Sequence, residues 1–156
     1  MRHCKQLGWC GPVAVAALTA VACGHTPAIP PGFVELEEDY SQYDSRATTA
    51  DGVVLATREI DNSEGGTAEF WTQAVENQMR RKGGYALLDK QPVKTNEGIT
   101  GIQLRFGLDQ EQEPHVYYVT LLITEDTIYL LEAGGTKAQM ERYAKQIEWS
   151  VRNFRE

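Results

Sequence analysis

His115–Thr124, HVYYVTLLIT, is almost wholly apolar or aromatic and rich in β-branched side chains. Its length and composition predict an interior strand covered on both faces of a sheet, because a half-exposed strand would alternate apolar and polar residues. The neighbours in sequence also read as strands. Thr127–Ala133, TIYLLEA, follows after a Glu125-Asp126 turn. Upstream, Ile99–Phe106 puts Ile102, Leu104 and Phe106 on one face and Gln103 and Arg105 on the other, which is half-buried alternation. Tyr85–Val93 is a further strand, expected to be broken late by Pro92. Asn96-Glu97-Gly98 turns the chain, and Asp109–Pro114, DQEQEP, is expected as a charged hairpin loop.

Two amphipathic helices flank these strands. Gly134-Gly135 reads as a strand-to-helix link, and Thr136 to Gln139 as a capping box. The terminal helix then carries Met140, Tyr143, Ala144, Ile147, Val151 and Phe154 on one stripe, with Glu141, Arg142, Lys145, Glu148 and Arg152 opposite. Trp149 falls off the stripe and is expected exposed, as a possible interface anchor. The earlier helix, Thr67–Arg81, has Phe70, Trp71, Ala74, Val75 and Met79 at threes and fours. It ends in Arg80, Arg81 and Lys82, cations that the helix dipole favours there, and Gly83 stops it. Arg46–Ile60 reads as a hairpin turning at Asp51-Gly52, and Phe33–Glu37 as an edge strand. The fold class is therefore α+β: an antiparallel sheet of about six strands packed with two amphipathic helices.

The order of these elements resembles the PsbP-like fold, shared by photosystem extrinsic proteins, a Ran-binding protein and many bacterial envelope lipoproteins. The resemblance covers about residues 33–155. It rests on layout and on local matches at Phe70-Trp71, Gly83-Gly84-Tyr85 and Gly98 to Phe106. It implies a layered sandwich and carries no functional residue to this chain.

The amino terminus supplies an address. Arg2 and Lys5 precede an apolar run, Val13–Ala22, that ends in the small residues Ala20-Val21-Ala22 before Cys23. Charged start, short apolar middle and small exit residues form a secretory signal over residues 1–22. A transmembrane helix needs roughly 20 apolar residues, and Gly8, Gly11 and Pro12 interrupt too early for that. Val21, Ala22, Cys23 and Gly24 resemble the lipobox of bacterial lipoproteins, although Ala20 stands where that motif usually has Leu. The resemblance implies cleavage before Cys23 and acylation, of the palmitate kind, on its thiol and new amino terminus. Gly24 after the cysteine resembles outer-membrane sorting. Ala20-Val21-Ala22 also fits an ordinary A-x-A cleavage site, which leaves a soluble secreted protein as the alternative. Of the three cysteines, Cys4 and Cys10 leave with the leader, so the mature chain forms no internal disulfide. Residues 23–32, with three prolines, read as lipidated cysteine plus tether. An extended chain there would hold the domain, residues 33–156, some 25–30 Å from the membrane at full reach, about 3.1 Å per residue.

Charge narrows the partners. Taking Arg2 and Lys5 from the 15 basic residues leaves 13 against 22 acidic ones, a net charge near −9. Nucleic acid and charge-driven docking on anionic lipid are thereby disfavoured. Four features could form sites. Glu37, Glu38, Asp39 and Asp44 cluster but lack a calcium-loop pattern, and a solvated loop explains them. His115 after Asp109, Glu111 and Glu113 could hold a metal at a hairpin mouth, yet zinc-type spacing is missing. Gly134-Gly135-Thr136 could hold an anion but has no phosphate-loop lysine. Tyr117, Tyr118 and Tyr129 could line a pocket, though aromatic strand residues more often pack a core. His25 belongs to the tether. No catalytic residue, cofactor or metal is assigned. The expectation is a non-enzymatic envelope lipoprotein, anchored in the outer membrane through Cys23, that binds an envelope protein or supports an envelope assembly. The alternative is a ligand-binding lipoprotein with a pocket between sheet and helices.

Overall fold

A computed structural model of the chain describes residues 28–37, 42–110 and 113–156. The leader, Cys23, Gly24, His25, the acidic residues Glu38 and Asp39, and Glu111 lie outside the described residues. The strands are β1 (Val34–Glu35), β2 (Ser45–Thr48), β3 (Val54–Asp61), β4 (Ala86–Lys94), β5 (Thr100–Gln110), β6 (Glu113–Ile123) and β7 (Thr127–Thr136). The helices are α1 (Ala68–Arg81), α2 (Lys137–Arg142) and α3 (Ala144–Arg152). The fold is α+β, with one antiparallel sheet of seven described strands in the order β1-β2-β3-β7-β6-β5-β4. The seven strands fall on the segments read as strands, Phe33–Glu37, both arms of the Arg46–Ile60 hairpin and the four later runs, so the expected count of about six is one short.

Helices cover both faces. Even-numbered positions of β5 and β7 and odd-numbered positions of β6 face α1. There Leu104, Phe106, Val119, Leu121, Ile128 and Leu130 form a buried cluster with Trp71, Val75 and Met79 of α1. The alternate positions face α2 and α3, where Ala133 packs with Met140 and Ile147, and Leu122, Tyr129 and Leu131 with Val151 and Phe154. β6 lies inside the sheet beside the middle strand β7, as its composition predicts.

Five local readings change. Gly134-Gly135-Thr136 is strand, not link, because both β3 and β6 extend their ladders to it. A Cβ on Gly134 would come within 2.8 Å of the Tyr117 ring, so glycine is what lets that ring lie against β7. Pro92 does not end β4, because β4 is an edge strand and the missing N–H costs no interior ladder bond. The terminal helix breaks at Tyr143, with φ −98° and ψ 12°, and Ala144 is exposed. Phe70 leaves the α1 stripe and stands 59 % exposed, while Glu76 is buried and bridges to Arg80 at 3.3 Å and to Lys90 of β4 at 3.1 Å. The charged hairpin at Asp109–Pro114 is also shorter than expected, since Asp109 pairs with Pro114 and Gln110 with Glu113 inside the ladder.

Tyr143, at the break, is tied to the β2–β3 turn. Gly52, at φ +96°, closes that turn and leaves Asp51 facing α2. The Asp51 carboxylate accepts from Thr49 Oγ1 at 2.8 Å, Tyr143 Oη at 2.9 Å and Arg142 Nη1 at 2.9 Å. The Thr49 hydrogen bond, then that of Tyr143, holds its carboxyl below the usual value. The same bond pushes the Tyr143 phenol up. The Tyr143 ring meets Phe33 edge-on at 5.6 Å.

Candidate functional site

Three surfaces place the residues that sequence reasoning singled out. The first is where the amino-terminal segment meets α3. Ser150 Oγ donates to the Ala28 carbonyl at 2.6 Å, Pro30 is buried, and Ile29 packs on the core beside Phe33. The stretch expected as free tether is therefore fastened from Ala28 onward. Only residues 24–27 separate Cys23 from the folded domain, a reach of no more than about 18 Å against the 25–30 Å expected. Trp149, next to the fastening serine, is 42 % exposed, as its place off the apolar stripe predicts.

The second surface lies on the α1 side, beyond the end of that helix. Glu132 of β7 is buried there, at 4 % side-chain exposure. Its Oε1 accepts from Arg58 Nη2 at 2.6 Å and its Oε2 from Tyr117 Oη at 2.9 Å. Tyr43 lies between two guanidinium groups, those of Arg46 at 5.6 Å and Arg58 at 5.9 Å. Burial first, then the Glu132 carboxylate, pushes the Tyr117 phenol far above its ordinary value, so it stays protonated and keeps donating. A hollow of about 290 Å³ opens over this cluster, floored by Ala56 and Gly134 and walled by Tyr43, Tyr85 and Tyr117. His115 stands at its rim, inside β6 rather than at a strand start, with Nδ1 3.1 Å from the Glu113 carbonyl. Among the described residues, no three of His, Cys, Asp and Glu gather as a metal site.

The third surface is a groove of about 640 Å³ between α3 and strands β4 and β5. Its floor follows from alternation in β5: with Leu104 and Phe106 committed to the α1 side, Gln103 and Arg105 must face α3. Gln103 is 4 % exposed. It accepts from Gln91 Nε2 at 3.0 Å and Arg105 Nε at 2.9 Å, and donates to Thr120 Oγ1 at 3.0 Å. The Arg105 guanidinium lies 4.7 Å from the Tyr118 ring centre. Ile147 and Val151 of α3 and Val93 of β4 add apolar wall. At the closed end, Asn96 N donates to the Arg152 carbonyl at 2.7 Å, which pins α3 to the β4–β5 turn.

The three tyrosines thus part company. Tyr117 faces the Glu132 cluster, Tyr118 the groove, and Tyr129 packs against Phe154 with ring centres 5.0 Å apart. The basic run at the end of α1 borders a shallow basin with Asn77 and Tyr85, and Arg80 is engaged by Glu76. Sequence reasoning missed Asp51, Glu132 and the Gln103–Arg105 pair. For Glu132 a signal existed: it is an acid inside the otherwise apolar run TIYLLEA.

No family model matches the chain, and no curated protein matches it in sequence. Solved structures match it in fold. LpqN of Mycobacterium tuberculosis, described as involved in cell envelope biogenesis, superposes with a TM-score of 0.63 at 10 % identity, over 85 % of this chain and 83 % of that one. The cyanobacterial PsbP of Synechocystis aligns at 0.56 and 14 % identity, over 96 % and 98 %. The Ran-binding protein Mog1p of Saccharomyces cerevisiae aligns at 0.52 and 14 % identity, over 81 % and 87 %. The fold is PsbP-like; at these identities the likeness is one of fold. Among the described residues no helix is long and apolar enough to cross a membrane.

Proposed function

We propose that this protein is a non-enzymatic binding module of the cell envelope, anchored by lipid on Cys23 in the outer membrane and carrying a domain that engages an envelope protein. The observation that carries this reading is the fastening of Ala28 to Ser150. The domain begins almost at the cysteine, so an acylated Cys23 would hold the Ser150 side of α3, with exposed Trp149, within about 18 Å of the bilayer. Stable anchoring takes more than one acyl chain, each methylene contributing about 0.8 kcal/mol, and a fully modified lipobox cysteine meets that need. The involvement of LpqN in cell envelope biogenesis supports this location.

Growth on labelled palmitate tests the anchor. Label is expected in the membrane-fraction protein and lost in Cys23→Ser; an unlabelled mature protein would leave a soluble secreted domain. Cross-linking in intact cells tests the partner. A stoichiometric envelope protein is expected, and its yield should fall in Trp149→Ala if the exposed indole is the anchor of the contact. A second reading, a ligand-binding lipoprotein, is favoured by the groove beneath α3, which combines apolar walls with convergent polar groups.

A further inference from the structure

The ligand-binding reading leaves the ligand's chemistry open, and Arg105 narrows it. Its Nε is engaged by Gln103 and its plane rests on Tyr118, so the guanidinium is held in place before any ligand arrives. The residue that holds it is fixed in turn, by Gln91 on one side and Thr120 on the other. Neither Nη makes a hydrogen bond or ion pair with another described residue. Asp89 stands opposite Arg105 in the β4–β5 register, but its carboxylate accepts from the Lys90 backbone N–H at 2.9 Å. The groove's one carboxylate, Glu148, is held by Arg152 at 2.7 Å, and Lys94 adds a further cation to the lining. Lys94, Arg105 and Arg152 against Glu148 make the groove locally positive in a chain of net charge −7.

An oriented guanidinium with free terminal donors matches a carboxylate in a two-point contact. The walls beside it are apolar: Ile147, Val151 and Val93. A volume of about 640 Å³ lies in the range of small-molecule sites. Resting on the ligand-binding reading, we propose that the groove between α3 and β4–β5 binds an amphiphilic carboxylate, its head on the Nη groups of Arg105 and its apolar body along Ile147 and Val151.

The test titrates the mature chain, isotope-labelled for NMR, with decanoate and with decan-1-ol as its uncharged counterpart. Decanoate is expected to shift the Arg105 Nε–H and the amide signals of β5 and α3, and to bind at least tenfold more tightly than the alcohol. Arg105→Gln should weaken decanoate at least tenfold and the alcohol less than twofold. Gln91→Glu exchanges the amide donor to Gln103 Oε1 for a carboxylate in the groove and should also weaken decanoate, whereas Gln91→Met, which removes only the amide bond, should weaken it less. Equal binding of acid and alcohol, an unaltered Arg105→Gln affinity in a folded variant, shifts mapping away from the groove, or no binding of decanoate would each overturn the proposal. Native mass spectrometry of the protein purified from cells separates the two failures: a bound neutral compound in the groove would sustain the ligand-binding reading while overturning the carboxylate.

Discussion

Arg58 and Arg105 project from interior strands of one sheet, on opposite faces, and their surroundings differ. Arg58 reaches a carboxylate buried beneath it, and that carboxylate takes a second hydrogen bond from Tyr117. Arg105 is oriented by a neutral amide and an aromatic ring, with its terminal donors directed at no carboxylate of the described chain. The first arrangement neutralises a charge that the sheet has already buried. The second holds a charge ready where α3 fails to cover β4 and β5. Removing a partner from the first arrangement strands a buried charge, whereas the second has no counter-ion to lose.

The largest effect is expected at Glu132. Glu132→Ala leaves Arg58 half-buried without its partner and Tyr117 without its acceptor. Breaking a buried ion pair costs about 3–5 kcal/mol, and the 36 % exposure of the Arg58 side chain reduces this to about 2–3 kcal/mol. Denaturant unfolding should show that loss, and a midpoint unchanged from wild type would mean that the cluster is solvated. Tyr117→Phe removes one hydrogen bond to the same carboxylate and keeps the ring. Its expected cost is about 1.5–2 kcal/mol, typical of hydrogen bonds to charged groups, measured in the same way.

How far these features can be read from sequence depends on whether their cause is local. The two faces of β5 are legible because alternation is a property of one strand: Leu104 and Phe106 inward on the α1 side dictate Gln103 and Arg105 on the other. The exposure of Trp149 follows from helical spacing in the same way. The strand character of Gly134-Gly135 is not legible, because it depends on how far β3 and β6 extend alongside. Pro92 is tolerated only because β4 falls at an edge, and edge position belongs to the topology. The tie between Tyr143 and Asp51 spans some 90 residues, so no local pattern announces it. The groove itself requires the angle at which α3 crosses the sheet, which no residue pattern encodes by itself.

Asp51 allows a pH test of that long-range tie. Its carboxyl titrates below the ordinary value of 3.8 in the folded state. Stability from a depressed carboxyl is fully present above the unfolded value and is lost as pH falls through the folded one. Asp51→Asn should therefore melt below wild type by a constant margin from pH 7 to about 5. The margin should shrink as pH falls through 3.8 and vanish once the folded carboxyl is also protonated. A margin independent of pH would assign the effect to the Asp51 backbone turn instead of its charge. Because the site is solvent-accessible, the expected margin is smaller than that of Tyr117→Phe.

The smallest effect on stability is expected at Arg105, and there the comparison is most exposed. Arg105→Gln removes a cation that balances no carboxylate, and Gln103 retains its bonds to Gln91 and Thr120. The unfolding free energy should fall by no more than about 1 kcal/mol, the net worth of the one hydrogen bond that Arg105 gives to Gln103. A cost comparable to that of Glu132→Ala would make Arg105 a structural strut and remove the distinction between the faces. Gln91→Glu tests the same point, because it exchanges the amide donor to Gln103 Oε1 for a carboxylate in the groove. If the Nη donors are free, the new carboxylate meets them and offsets part of the lost hydrogen bond, itself worth about 1 kcal/mol. If they are already satisfied within the fold, the lost bond and an uncompensated charge both count against stability. Comparison with Gln91→Met, which removes only the amide bond, therefore reports whether the groove carries an unmet positive charge before any ligand binds.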